Sequence, residues 1–369
     1  MDKKKLLYIT NKISGSGGLE RVLSIKASYL AEHYDYEVHI ITLNQGDATL
    51  FYEFSNKIHF HDVTVNGVPL IYFFNYKNGI QKVVNQIDPH IICVCDDGLK
   101  GFLLPKILDN PCPMVYERHV SKIILEAEKE NNFKNNLLTK LNYAIMDYGV
   151  KKYDAFVVLT NSNTSEWQSQ NIEVISNPLS FFPTESSTLN NKTVIAVGKH
   201  CYQKGYDRLL KIWQIVVKKH PDWVLEIYGS FSPFHDLKTL SEELNIENNI
   251  KLFPPEKNIK NKFLEASIHV LPSRFEGFGM VLIEAMSCGL PVISFDCPCG
   301  PSDIINQNED GILIENGDIN AFSDALIKLI ENKELRSEFG RNAKNNVERY
   351  LPENIVPKWD TLFKSLMKN

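Results

Sequence analysis

No run of about 18 apolar residues occurs in this 369-residue chain, so nothing in it is expected to span a membrane. No C-x-x-C pair occurs either. The cysteines, Cys93, Cys95, Cys112, Cys201, Cys288, Cys297 and Cys299, are odd in number and lack the spacing of a zinc or redox site. That usage predicts free thiols in a reducing, cytoplasmic compartment. A basic excess is missing too: Lys and Arg number 40 against 45 acids, for a net charge of −5, which argues against nucleic acid as a partner. The basic start at 1–5 leads into the apolar run Leu6-Leu7-Tyr8-Ile9, which stops at Thr10-Asn11. It is too short for the core of a signal peptide. Short-period repeats, low-complexity tracts and long charge blocks are also absent.

What is present is an ordinary globular composition, 43% hydrophobic and 23% charged, with enough chain for two domains at roughly 150 residues each. Short apolar runs alternate with helical patterns throughout. Strands are predicted at 6–10, 37–43, 57–65, 90–94, 114–117, 155–160 and 173–175, then again at 193–197, 224–228, 250–253, 269–271, 292–295 and 311–314. Between the first two lies a helical stretch in which Val22, Leu23, Lys26, Ala27 and Leu30 recur at helical spacing. Later helices are expected at 206–219, 233–244 and 320–331, and after Gly340 to Tyr350. Such alternation builds parallel sheets with helices on both faces, and two series predict two doubly wound α/β domains. The break is placed in 178–192, rich in Pro, Ser, Thr and Asn. A last amphipathic segment follows Pro352. Sites in open parallel sheets lie at the carboxyl ends of strands, so polar residues just after strands carry the interest.

Three post-strand segments stand out. Gly15-Ser16-Gly17-Gly18-Leu19-Glu20 follows the first strand and opens a helix. It reads as a tight turn or as an anion contact at a helix N-terminus. It lacks the third glycine of a dinucleotide fingerprint, and the acid at the ribose spacing, Glu37, starts the second strand instead of ending it. The stretch from Val197 to Asp207 repeats this context in the second half. Lys199 and Lys204 suit it to clamping a diphosphate, although lysines in such a loop also serve as solvated surface. It is no Walker loop, since G-x-x-x-x-G-K-[ST] is missing. The third and sharpest segment runs from Pro272 to Met286. A strand ends, a glycine-punctuated loop carrying Glu276 follows, and a helix starting near Gly279 carries Glu284. A lone glutamate there would compensate the helix dipole. Two acids in such a loop can hold sugar hydroxyls beside peptide N–H groups open to phosphate.

With these residues in view, the sequence resembles the retaining glycosyltransferases of family 4, which have the GT-B fold. Glu276 and Glu284 match the family's E-x7-E signature within "LPSRFEGFGMVLIEAMSCGLPVIS". "GGLERV" at 17–22 resembles the first glycine loop, and "VGKHCYQKGYDRLL" the donor segment, with Lys199 in place of the usual arginine. "DCPCGPSDII" at 296–305 resembles a branch that uses UDP-hexoses and UDP-N-acetylhexosamines. The resemblance implies an α/β GT-B architecture of two doubly wound Rossmann-like domains facing across a cleft. Residues 1–180 would form the acceptor side, residues 190–351 would bind the nucleotide sugar, and the helix at 352–369 would pack back on the first domain. It further implies transfer of a hexose or N-acetylhexosamine from a UDP-sugar to a glycan or lipid-linked saccharide with retention, in surface polysaccharide assembly.

The resemblance also assigns roles to residues. Glu284 would hold the ribose, Lys199 and Lys204 the diphosphate, and Glu276 with the peptide groups of Phe278 and Gly279 the donor sugar. Gly17, Gly18, Gly198, Gly229, Gly277, Met280 and Val281 complete the donor-binding set. His119, in "ERHVSK" after a strand, takes the place of the active-site histidine beside Glu276 and Lys204, though a histidine there is as often a packing residue. Neither cofactor nor metal is expected, and no D-x-D occurs. Asp96-Asp97 reads as acceptor lining or as an ordinary loop. The stripe Phe133, Leu137, Leu138, Leu141, Ile145 and Tyr148 is expected to pack on the first domain's own sheet. The alternative is an interfacial helix at the inner face of the cytoplasmic membrane. Rival functions are a GT-B nucleotide-sugar epimerase and a non-catalytic nucleotide-sugar-binding protein. A glycoside hydrolase leaves the lysine–glycine loop without a role.

Overall fold

A computed structural model describes residues 3–123, 133–231 and 236–368. The chain divides into two compact units. One holds the described residues up to Lys122, those from 133 to 178 and those from 352 on; the other holds Ile123 and Leu179–Leu351. The expected helix at 233–244 falls partly outside the described residues, which show helix over Leu237–Glu243.

The first unit is built on β1 (Lys4–Thr10), β2 (Tyr36–Leu43), β3 (His59–Val63), β4 (Ile91–Cys95), β5 (Met114–Glu117), β6 (Ala155–Val158) and β7 (Ile172–Val174). They form one parallel sheet in the order β3-β2-β1-β4-β5-β6-β7. The second unit repeats the plan with β8 (Thr193–Val197), β9 (Val224–Tyr228), β10 (Ile250–Phe253), β11 (Ile268–Leu271), β12 (Val292–Asp296) and β13 (Gly311–Glu315). Its order is β10-β9-β8-β11-β12-β13, again all parallel. In both sheets the strand order reverses beside the first strand. Two doubly wound sheets are what the alternation predicts, with strand ends displaced by at most two residues. The reversal leaves a crevice at the carboxyl edge, between β1 and β4 in one unit and between β8 and β11 in the other.

Fully apolar runs fill the sheet centres because strands covered on both faces bury every side chain. Each residue of β4, Ile91-Ile92-Cys93-Val94-Cys95, is buried. All seven cysteines are free. In the second unit the helix Tyr206–Lys219 turns Leu209, Leu210, Ile212, Trp213 and Val216 into the same core as β8, β9 and β11.

Two sequence expectations need correction. The helix Phe133–Val150 exists, but its apolar stripe does not cover the sheet: Leu137, Leu138, Leu141 and Tyr148 are exposed. The side chain of Phe133 lies outside the described residues. Thr139, Met146, Gly149 and Val150 are the buried positions. Gly149 decides the choice, because a Cβ there would stand 2.5 Å from Cβ of Phe102. Only a face without a side chain allows that approach. Second, helix does not begin after Gly340. It runs over Lys333–Asn346, with Val347–Tyr350 as a tighter last turn. Gly340 sits inside it because its backbone approaches Gly289, whose carbonyl a Cβ would meet at 2.2 Å.

The helix Pro352–Leu366 belongs to the first unit and packs on the helix Gly18–His33. Its Trp359 is buried with the ring face 3.8 Å from Nζ of Lys26, and Tyr36 donates its hydroxyl to Asp360 at 3.0 Å. Phe363 meets the Tyr36 ring edge-on at 6.1 Å. Trp359→Ala removes a buried indole and the π-face of a buried cation, and is expected to cost about 3–5 kcal/mol. Chemical denaturation followed by circular dichroism checks this; a loss below about 1 kcal/mol would contradict the packing described.

Candidate active site

In the second unit the β8 strand ends at Val197 and the chain turns through Gly198 with φ of +154°. The loop from β9 presses against it. A Cβ on Gly229 would lie 1.9 Å from the Gly198 carbonyl oxygen, so both positions demand glycine. After the turn Tyr202–Lys204, Gly205 adopts φ of +66°, and a Cβ on it would meet the Pro272 carbonyl at 2.2 Å. These contacts bring the loop after β8 against the loop after β11, on the two sides of the sheet's reversal.

Lys204 and Glu276 meet there, Nζ to Oε1 at 2.7 Å. Ser273 donates its hydroxyl to the same Glu276 oxygen at 2.6 Å, and the Glu276 backbone N–H donates to the Pro298 carbonyl at 3.0 Å. Both charged side chains are largely covered, 17% and 6% exposed. Burial alone would lower the Lys204 basicity; the charge and hydrogen bond of Glu276 outweigh it and leave the ammonium above its usual range. Arg274 holds the loop in place through a two-pronged bond to Asp207, 2.8 and 2.7 Å, with its guanidinium stacked over the Tyr202 ring at 4.0 Å. Lys199, by contrast, is exposed and has no hydrogen bond or ion pair among the described residues.

The loop then passes Gly277 and Phe278, both buried, to Gly279 with φ of +102°, which caps the helix Met280–Ser287. Phe278 is fixed edge-on against Tyr350 at 5.4 Å. Gly300 lies so close that a Cβ would be 2.0 Å from the Phe278 oxygen. Met280 and Glu284 are buried and Val281 is partly so. Glu284 accepts a hydrogen bond from Ser180 at 2.6 Å. The structure thus gathers Gly198, Lys204, Gly229, Glu276 and the 277–280 turn along one carboxyl edge.

The first unit assembles a second polar group at its own reversal. Glu117, the last residue of β5, is buried and paired with the Lys26 ammonium. Its Oε2 also accepts from Cys95 at 3.1 Å, and its Oε1 lies 3.3 Å from Nε2 of His119. Burial alone would raise the Glu117 carboxyl, but Lys26 and His119 together hold it well below the carboxylate range. Burial alone would lower His119, yet Glu117 drives it up to about 10. His119 is therefore an imidazolium at neutral pH. Asp97 orders the same loop, accepting from Arg118 at 3.3 Å and from the His119 backbone N–H at 3.2 Å. Asp96 is structural, accepting from Asn11 and from the Gly98 N–H at 2.8 Å each.

Gly17 and Gly18 open the helix Gly18–His33 as expected of a post-strand turn. The Glu20 carboxylate folds back over them: Cβ atoms on Gly15 and Gly17 would stand 2.4 and 2.6 Å from its oxygens. Burial raises its carboxyl while its own backbone N–H and His119 oppose that rise. Glu20, Lys26, Glu117 and Ser273 are the members of these clusters to which motif reading gave no role of their own. The one available signal was Lys26, a lysine at an apolar-stripe position.

The charges of Glu117 and His119 make opposite pH predictions. Glu117, depressed in the fold, contributes stability that is present above its unfolded pKa near 4.3 and lost as pH falls. His119, raised in the fold, contributes stability that is full below about 6.5 and lost as pH climbs toward about 10. His119→Asn is expected to flatten the alkaline limb of a Tm-versus-pH profile between about pH 7 and 10 and to spare the acid limb. An unchanged alkaline limb would contradict the assignment. Glu117→Gln, which leaves the Lys26 cation buried without its anion, is expected to cost about 3–5 kcal/mol.

Comparison with known proteins agrees with this layout. A family model described as Glycosyl transferases group 1 matches residues 181–346. An uncharacterized glycosyltransferase of Haemophilus influenzae is 30% identical over 364 residues, covering 96% of this chain and 99% of that protein. The amylovoran biosynthesis glycosyltransferase AmsD of Erwinia amylovora is 30% identical over 372 residues, covering 97% and 99%. In fold, the chain is similar to TarM of Staphylococcus aureus, solved with Fondaparinux, α-GlcNAc-glycerol and UDP (TM-score 0.76, 19% identity, 98% of this chain and 99% of that one). The chain belongs to the GT-B glycosyltransferases, and its second unit carries the group 1 domain.

Proposed function

We propose that this glycosyltransferase is a retaining, family 4 enzyme that moves a hexose or N-acetylhexosamine from a UDP-sugar to a saccharide or lipid-linked saccharide in surface-glycan assembly. The observation that carries the reading is the Lys204–Glu276 pair, 2.7 Å apart, at the reversal of the second sheet. When the bond from the sugar's anomeric carbon to the diphosphate oxygen breaks, negative charge grows on the departing UDP. A lysine held cationic at that place, with Lys199 free to join it and the Gly279 turn offering peptide N–H groups, stabilises that charge more in the transition state than before it.

Glu276, once Lys204 turns to the phosphate, can accept hydrogen bonds from sugar hydroxyls. Glu284 is placed to take the ribose, with Ser180 as its present partner. His119, as an imidazolium, donates a proton-bearing, cationic edge and cannot act as a general base at neutral pH. This supports a mechanism in which the leaving phosphate takes the acceptor's proton. No metal or cofactor is assigned to the transfer. One relative supports the polysaccharide setting, since by its name it acts in amylovoran biosynthesis. The exposed apolar residues Val68, Leu70, Phe73 and Phe74 at the start of the helix Pro69–Ile87, with Leu137, Leu138 and Leu141, support a lipid-linked acceptor.

UDP and UDP-sugars are expected to raise Tm, and NADH to leave it unchanged; stabilisation by NADH alone would overturn the reading. Lys204→Met and Glu276→Ala are each expected to lower kcat for transfer about 10²–10³-fold while the protein stays folded. Unchanged turnover in both would place the site elsewhere. Release of free sugar or an isomerised donor without an acceptor would instead indicate the epimerase.

A further inference from the structure

Glu284 is a carboxylate in unfavourable company. It stands in the helix Met280–Ser287, whose other side chains are apolar except for Ser287, and it is 1% exposed. Burying a carboxylate is costly unless its oxygens accept hydrogen bonds. Ser180 supplies one, its hydroxyl donating to Oε1 of Glu284 at 2.6 Å across 104 positions of sequence. That length is characteristic of a hydroxyl bonded to an ionised carboxylate.

The backbone around Ser180 is anchored on both sides. Pro178 and Leu179 before it and Pro183 after it are buried, and each proline holds its φ at about −65°. The Leu179 N–H donates to the Tyr350 carbonyl at 2.7 Å. The Tyr350 ring in turn meets Phe278 edge-on at 5.4 Å, in the loop that also carries Glu276. The serine hydroxyl is thus delivered to Glu284 by a segment that is itself tied to the candidate site.

We propose that Ser180 is a positioning residue for the donor: its hydroxyl fixes the Glu284 carboxylate in the orientation that receives the two ribose hydroxyls of the nucleotide. The inference rests on the reading of Glu284 as the ribose holder and adds to it the group that aims the carboxylate. Neighbouring hydroxyls on a ribose donate two roughly parallel bonds, and a carboxylate takes both only when its plane is turned to face them. A glutamate side chain is rich in rotamers, and fixing it before the ligand arrives removes that ordering cost from binding. A carboxylate oxygen carries two lone pairs, so the bond from Ser180 does not bar Oε1 from accepting a ribose hydroxyl as well. Ser180 acts from outside the helix that carries Glu284, so its effect on the nucleotide passes through that one hydrogen bond.

The test measures by calorimetry the affinity of the full-length protein for UDP and for dideoxy-UDP, which lacks both ribose hydroxyls. The wild-type protein is expected to prefer UDP by about 100-fold. Ser180→Ala is expected to weaken UDP binding about 10-fold and to leave dideoxy-UDP as it was, so the preference shrinks by the same factor. Ser180→Thr keeps the hydroxyl and is expected to keep the wild-type preference. A preference that survives intact in Ser180→Ala, an equal loss of both ligands there, or a loss in Ser180→Thr as large as in Ser180→Ala would each overturn the proposal and leave the ribose reading standing. Equal binding of the two ligands by the wild-type protein would instead overturn the ribose reading, and the proposal with it.

Discussion

A lysine ammonium and a glutamate carboxylate, 2.7 Å apart and mostly removed from water, set the terms for the second unit. Such a pair is costly to bury and is worth keeping only when its geometry is enforced. Enforcement comes from backbone. Gly205, Gly229 and Gly300 each let one loop approach the carbonyl of another more closely than any Cβ would allow, and Gly198 supplies a turn with φ of +154°. Arg274 then ties the loop after β11 to Asp207 at the head of the helix that follows Lys204. The result is a charged couple held at a sheet's carboxyl edge, where the proposed nucleotide sugar would replace one partner for each member.

The first unit solves a related problem differently. Its buried charges form a chain, from Lys26 through Glu117 to His119. The Trp359 ring covers the lysine from the side opposite in sequence, across nearly the whole length of the chain. The C-terminal helix thus contributes to the electrostatics of a post-strand histidine: it dries the lysine, the lysine fixes the glutamate, and the glutamate keeps the imidazole charged. A neutral histidine at that place would offer a base; this arrangement offers a cation.

The strands were readable because buried parallel strands are short unbroken apolar runs, and the motif loops because glycines and acids follow those runs directly. Glu276 and Glu284 stood out by their place after a strand and by the resemblance of that segment to a family signature. What could not be read is pairing across distance. Lys26 and Glu117 are separated by 91 residues, and nothing local to either names the other. The helix Phe133–Val150 misled for a specific reason: its apolar residues outnumber its buried ones, and the contact was decided by Gly149, which carries no hydrophobic signal at all. Lys199 and Lys204 looked alike in sequence, yet only Lys204 finds an anion, because Gly205 turns the chain back toward Pro272 immediately after it.

The central claim is that Lys204 is a cation on loan to Glu276 and meant for a diphosphate. Calorimetric binding of UDP and of uridine tests it most directly. The account predicts that the wild-type protein prefers UDP strongly and that Lys204→Met loses most of that preference while still binding uridine as before. A UDP-to-uridine affinity ratio that is the same in both proteins would contradict it.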